Sequence, residues 1–134
     1  MRECVAALIV EGQQILLGKR SAGRDFYPGV WDVFGGHVEQ GETCEQALRR
    51  EMDEELGITP TEWAHIGTWP EPDAGRHGVG RYHFYLVTAW GGTPHNRAPH
   101  EHECVEWFSP ERAARLDLAH PAYADLFARL LGNT

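Results

Sequence analysis

The chain has 134 residues, 42% of them hydrophobic and 24% charged, and carries a net charge of −8. That length suits one domain around one core, residues 1–134, and the acidic balance argues against a nucleic-acid backbone as partner, because such binding rests on clustered Lys and Arg. No apolar run reaches the roughly 18 residues of a membrane span, the start lacks the layout of a secretory leader, and the odd, scattered cysteines Cys4, Cys44 and Cys104 do not make a disulfide framework, so a reducing cytoplasm is the expected setting.

Cys4 to Val10 is a short, continuously apolar run with β-branched residues and reads as a buried strand. Glu11-Gly12 supplies a turn, and Gln14 to Lys19 reads as the hairpin partner. Ser21 to Gly29 is rich in Gly, Pro and polar residues, the composition of a loop. Val30 to Phe34 is a short strand ending at Gly35-Gly36.

A helix is predicted from Thr43 to Leu56. Thr43 caps it, Gln46 completes a capping box, and Gly57 supplies the stop. At about 100° per residue, Glu51, Glu54 and Glu55 share one side. Leu48, Met52 and Leu56 form an adjoining apolar stripe fit to pack on a sheet. Gln46, Arg49 and Asp53 face solvent. A helix that buries one stripe beside an acidic one belongs at the rim of a pocket. Like charges at i, i+3 and i+4 are costly unless a cation joins them. Hard oxygen ligands suit Mg²⁺ or Mn²⁺, whose remaining ligands are commonly phosphate oxygens. The helix therefore points to metal-assisted chemistry on a phosphorylated molecule.

Glu62 to Trp69 and Arg81 to Trp90 read as strands, joined through turn-forming Gly75 to Gly80. The second alternates weakly, as a central strand does. Gly91 to His100 is a polar loop and Cys104 to Phe108 a short strand. Ser109-Pro110 is a helix start. A last amphipathic helix is predicted from Pro121 to Leu131, with Tyr123, Leu126, Phe127 and Leu130 on one face. The irregular alternation of strands and helices implies an α/β or α+β class with a mixed sheet.

Gly36 to Ile58, GHVEQGETCEQALRREMDEELGI, places Gly36, Glu42, Arg50, Glu51, Glu54, Glu55 and Gly57 in fixed register, with apolar Met52 and Ile58. It resembles the Nudix box, Gx5Ex7REUxEExGU with U apolar, at every position. At roughly 7% usage per residue type, seven fixed positions coincide by chance about once in 10⁸ windows. The resemblance implies a mixed sheet sandwiched between helices, with the box as loop-helix-loop, and hydrolysis of a nucleoside diphosphate linked to another moiety. It implies Glu54 and Glu55 as principal Mg²⁺ ligands, and Glu51 as a metal ligand or the residue orienting the attacking water. Glu42 is implied as a further acid near the metal, Arg50 as the clamp on the box carboxylates, and the Gly35 carbonyl as a ligand. For Arg50 a plain surface ion pair is the competing reading. The Gly35-Gly36 pair lets backbone approach a metal with no Cβ in the way.

Outside the box, MutT-type members carry an acid six residues before a tryptophan. Here that is Glu101, before Trp107, a candidate general base or extra ligand, with Glu103 and Glu106 close enough to be confused with it. The same stretch holds His95, His100, His102 and Cys104, whose spacing fits no structural zinc pattern. Base recognition is open. Trp31, Phe34, Trp69, Tyr82, Phe84 and Tyr85 offer stacking faces or core side chains, and Arg20 falls where MutT-type members carry a phosphate- or base-contacting arginine. Phe34 and Gly36 are further candidates for substrate contact. Members specialised for oxidised guanine carry an asparagine near the last helix, where this chain has Ala119-His120-Pro121, and proline where it has Phe34. Neither a dinucleoside-polyphosphate nor an ADP-ribose signature is present.

The expected activity is therefore Mg²⁺-assisted hydrolysis of a small nucleotide substrate by a monomer or homodimer, with no nucleic acid and no membrane involved. The alternative is a Nudix-fold module that binds a nucleotide without cleaving it, which would be expected to have lost box carboxylates. A structural calcium protein would need the Asp/Asn-rich loop that is missing here.

Overall fold

A computed structural model describes residues 1–24 and 27–132. Asp25 and Phe26, within the loop expected at Ser21 to Gly29, lie outside the described residues. Strand β1 (Arg2–Glu11) turns at Gly12 into β2 (Gln14–Arg20). Strands β3 (Trp31–Asp32) and β4 (Phe34–His37) lead into helix α1 (Cys44–Leu56). Then come β5 (Thr59–Pro70), a single helical turn α2 (Ala74–His77), β6 (Gly80–Gly91) and β7 (His102–Phe108). Helices α3 (Pro110–Ala113) and α4 (Tyr123–Phe127) close the chain, α4 running into a π-helical turn over Ala128–Gly132.

Among the described residues seven strands join one mixed sheet, in which β1 and β6 are parallel and the other pairings antiparallel. The β1–β2 hairpin is paired only near its turn, Ile9–Glu11 against Gln14–Leu16, and then splays. Residues 31–37 fill the fork: β3 pairs with β2 at Gly18 and Lys19, and β4 with β1 at Cys4 to Ala7. The sequence predicts a single strand here. It breaks at Val33 because the Asp32 carboxylate accepts the Val33 N–H at 2.8 Å, giving that donor a partner away from a ladder. It also runs on through Gly35-Gly36 to His37 instead of stopping there.

Continuous burial of β1 is explained by helices on both faces. Val5, Ala7 and Ile9 pack with Leu48, Met52 and Leu56 of α1. Ala6 and Leu8 pack with Phe108, Ala113, Tyr123, Leu126 and Phe127 on the other face. This is the expected layered arrangement. Leu48, Met52 and Leu56 are each fully buried, worth roughly 1.5–3 kcal/mol per side chain. The α1 capping box forms as predicted: Thr43 Oγ1 accepts the Gln46 N–H and Gln46 Oε1 accepts the Thr43 N–H. Gly57 ends the helix at φ +69°.

Some elements differ from the sequence expectation. Strands β5 and β6 are longer than predicted, and β7 begins two residues earlier, at His102. The Gly75 to Gly80 link includes a turn of helix, capped by Asp73. The last α-helix starts at Tyr123, not Pro121; the Ala122 N–H bonds the His120 ring instead, and no side chain caps the helix. Among the described residues no helix is long and apolar enough to cross a membrane.

Candidate active site

The box helix brings its carboxylates to the fork in the sheet, and each has a different environment. Glu55 is 2% exposed. Its Oε2 accepts the Gly35 N–H at 3.1 Å and its Oε1 lies 2.9 Å from His102 Nε2. Burial, and then the nearby Glu51 charge, push its pKa well above the usual carboxylate range. Glu51 is half-buried, and burial raises its pKa too. Glu54, one helical position before Glu55, points outward, with its side chain 57% exposed.

Arg50 ties this cluster together. Its Nε and Nη2 grip the two oxygens of Glu42 at 2.7 and 3.0 Å, and Nη1 reaches Glu51 at 2.8 Å and Glu54 at 3.4 Å. Nη2 also donates to the His37 carbonyl at 2.9 Å, which fixes α1 against the end of β4. This is a planar, bidentate clamp, beyond what a plain surface pair offers. The Arg50 contacts hold the Glu42 carboxyl down at about 2.

The two glycines are required by close approach. A Cβ on Gly35 would sit 1.9 Å from the Val5 carbonyl oxygen, and one on Gly36 would sit 2.5 Å from Glu51 Oε2. The Gly35-Gly36 backbone therefore lies directly against the acidic cluster. Gly57 serves the helix end, where His95 and Arg97 pack against it.

Glu101 reaches the site from the turn before β7. Glu55, Glu101 and His102 bring ligand atoms within 4.8 Å of one another, the one such group among the described residues. Arg24 donates to Glu101 Oε1 at 3.2 Å, and Ser21 N–H to its carbonyl at 2.9 Å. Of its neighbours, Glu103 is exposed and Glu106 pairs with Arg112. His95, His100 and Cys104 gather no metal-binding group among the described residues; His95 bonds the Thr93 carbonyl and Cys104 is exposed.

His102, noted in the sequence only as one of a stretch of histidines, lies against this cluster. It is 2% exposed, it packs edge-on against Phe34 at 5.2 Å, and burial drives its pKa down to about 4. Its Nδ1 is buried without a partner among the described residues. Gly18 makes room for it, since a Cβ there would meet both His102 Nδ1 and Phe34 at 2.9 Å.

From this cluster a cleft of about 790 Å³, counted out to its open mouth, runs over β1 and β4. Gly35, Gly36, Glu55, Glu101 and His102 line it around the acidic cluster, where Arg24 holds Glu101. Tyr27, Asp32, Tyr82, His120 and Tyr123 also line it, with Arg20 bonded to Tyr27 and Asp32. Arg20 pairs with Asp32 at 3.4 Å and donates to the Tyr27 carbonyl at 3.1 Å. The Tyr123 phenol donates to Asp32 at 2.7 Å and stacks on His120. Of the aromatics singled out in the sequence, Phe34 and Tyr82 line the cleft. Phe34 is also wholly buried, and Phe84 and Tyr85 belong to the core. Trp31 packs against Phe108, and Trp69 against Phe84.

The acidic donor set fits a hard divalent cation. Glu55 is a buried carboxylate whose hydrogen-bond partners are a backbone N–H and a histidine, and Glu51 beside it is only partly offset by Arg50. Such a pair is costly to ionise without added positive charge.

Known proteins agree with this geometry. The NUDIX domain family model matches residues 1–130. The chain is 39% identical over 119 residues to the CTP pyrophosphohydrolase of Escherichia coli K12, covering 89% of this chain and 84% of that protein. It is 37% identical to the 8-oxo-dGTP diphosphatase of Haemophilus influenzae, covering 97% and 92%. The crystal structure of a MutT NUDIX hydrolase from Burkholderia pseudomallei superposes with a TM-score of 0.80 at 31% identity, covering 96% of this chain and 95% of that one. With an unbroken box built into an acidic, cleft-lining site, the chain belongs to the Nudix family.

Proposed function

We propose that the protein is a nucleoside triphosphate pyrophosphohydrolase that cleaves a phosphoanhydride to release a monophosphate and pyrophosphate. The observation that carries this reading is the buried Glu55 carboxylate beside Glu51, a pair only partly offset by Arg50, at a cleft of about 790 Å³. Relatives named for CTP and 8-oxo-dGTP hydrolysis support it. Both names describe nucleoside triphosphates, and the base this protein takes is left to the experiment below.

Glu51, Glu54, Glu55 and Glu101, with the Gly35 carbonyl, would hold Mg²⁺, or Mn²⁺ in its place. When bound, the ion polarises the bridging phosphate oxygens and spreads their developing charge. The protein's own groups set the rest. Arg50 fixes the orientation of Glu42, Glu51 and Glu54. Gly36 leaves space for the Glu51 carboxylate. Glu101, held by Arg24, stands at the cleft as the acceptor of the proton from the attacking water. Arg20 sits where it meets the phosphates or the base, while Phe34 backs the cleft floor. Gly57 contributes only through the end of α1.

The test is product formation in Mg²⁺, read as phosphate after added pyrophosphatase for CTP, dCTP and 8-oxo-dGTP, and by chromatography of the nucleotide products for ADP-ribose, dinucleoside polyphosphates, nucleotide sugars and NADH. Glu54→Gln should lower turnover at least about 100-fold while the melting temperature holds, because the Glu54 side chain is exposed and makes one long contact. Nucleotide-dependent thermal stabilisation with no product from any substrate would replace the enzyme with a binding module.

A further inference from the structure

A second buried carboxylate, Glu71, is held by residues that line the cleft, and the chemistry above does not use it. Its side chain is fully buried, yet four donors meet it. Arg2 Nη2 and the Tyr82 phenol donate to Oε1 at 3.2 and 2.9 Å. The Asp73 N–H donates to Oε2 at 3.1 Å, and the Tyr27 phenol donates to the same oxygen. Burial opposes ionisation, and these hydrogen bonds outweigh it, so Glu71 stays below the usual carboxylate range. Arg2, Tyr27 and Tyr82 are all cleft-lining residues, contributed by β1, the loop after β2, and β6.

Tyr27 carries an independent anomaly. It is the one non-glycine residue with positive φ, +52°, among the described residues. A tyrosine is uncommon there, and such conformations persist only where surrounding contacts impose them. Those contacts are visible. Arg20 Nε holds the Tyr27 carbonyl, Glu71 holds the phenol, and the ring lies 4.7 Å from His77. Arg20 in turn pairs with Asp32, which holds Tyr123. One hydrogen-bonded arc therefore connects the aromatic groups along this part of the cleft.

We propose that Tyr27 is a substrate-binding residue whose ring forms a wall for the nucleoside, and that Glu71 is its positioning residue. The inference rests on the nucleotide reading above and names the part of the substrate met here. Charge separates the two parts of the cleft. Phosphates suit the part with Arg24 and the cation-seeking carboxylates. In the other part Arg2 offsets Glu71 and Arg20 offsets Asp32, so it carries no net charge to favour a phosphate and suits the uncharged nucleoside. The Tyr27 phenol is committed to Glu71 and its pKa is raised by burial and by that bond, so the group acts by its face, not as an acid. A ring with both ends fixed loses little entropy on binding.

The experiment combines steady-state kinetics on a nucleoside triphosphate that wild type hydrolyses with binding of its α,β-methylene analogue and of inorganic pyrophosphate, in Mg²⁺. Tyr27→Ala should raise KM and the analogue Kd about tenfold, with kcat within about twofold and pyrophosphate binding unchanged. Glu71→Gln and Tyr27→Phe, which loosen the ring but keep it, should each give a smaller rise. In Glu71→Gln/Tyr27→Ala the loss should match that of Tyr27→Ala alone, because Glu71 acts through the ring. Additive losses, a fall in kcat with KM unchanged, or equal weakening of pyrophosphate would overturn the proposal. If Glu71→Gln does not fold, the Tyr27→Phe and Tyr27→Ala pair still decides between ring and bystander. Wild type that cleaves and binds no nucleotide would sink the enzyme reading itself, a distinct result from normal wild type with unaffected Tyr27 variants.

Discussion

Arg50 shows how one side chain sets the state of several others. Its guanidinium fork meets Glu42 bidentately and reaches Glu51 with the same plane. A lysine carries the charge without the fork, so Arg50→Lys should keep the fold and lose turnover. Glu42 gives the pair a pH signature. Its folded pKa, about 2, lies below the unfolded value near 4.3. The unfolded state therefore binds the extra proton, and stability falls as pH drops between those values. The contribution is fully present above the unfolded pKa and gone below the folded one. Acid titration followed by tryptophan fluorescence should show that part of the pH dependence missing in Glu42→Gln; an unchanged acid limb would remove Glu42 from the account. At this scale the sequence was most legible for residues whose partners are local: Arg50 with Glu51 and Glu54 lie within one turn of helix. His102 was not legible, because its burial depends on Gly18 and Phe34, which are distant in the chain. Glu71, Tyr27 and Asp32 were missed for the same reason: a lone acid beside prolines or a loop tyrosine has no periodic pattern to mark it.

At the scale of elements, β4 and α1 act as one unit joined by contacts at Gly35 and Gly36. The two glycines should respond differently to the same substitution. Gly35→Ala drives a Cβ into the Val5 backbone carbonyl at 1.9 Å, where neither strand yields without breaking the β1–β4 pairing, so it should destabilise by roughly 3 kcal/mol or more. Gly36→Ala meets only the carboxylate tip of Glu51 at 2.5 Å. That tip moves, at the expense of its Arg50 contact, so the variant should melt near wild type and turn over about 100-fold more slowly. Thermal melts beside kinetics separate the two, and equal melting temperatures would refute the distinction. Helix α1 was readable from its caps and stripes because these are intrinsic to a helix. The β3–β4 break was hidden, since Val30 to Phe34 reads as a single run and only the Asp32 side chain interrupts it. The early start of β7 was hidden as well, because its pairing to Arg20 at His102 passes a bulge.

Across the whole molecule, two helical layers bury the sheet and leave the fork between β1 and β2 to hold the acidic cluster. The layered plan was implied by the resemblance that the box carries, and the unbroken apolar run of β1, covered on both faces, agrees with it. The position of the cleft did not, because it depends on how the hairpin splays. The stability of the layers has to support a site that is unfavourable in itself: a chain of net charge −8 places Glu55 in the interior beside Glu51. Function and stability therefore pull against each other at Glu55. Glu55→Gln keeps both contacts if its amide oxygen accepts the Gly35 N–H and its NH₂ donates to His102 Nε2. It also removes the buried charge and the repulsion from Glu51. The metal-free variant should then melt a few degrees above metal-free wild type. Ligand binding to the folded state raises stability by mass action, so Mg²⁺ should raise the wild-type melting temperature and leave Glu55→Gln almost unmoved, with turnover lost. A thermal-shift series in EDTA and in rising Mg²⁺ reads all of this. A metal-free Glu55→Gln less stable than wild type would show that the interior charge is already compensated by the protein, and the cation would no longer be what completes the site.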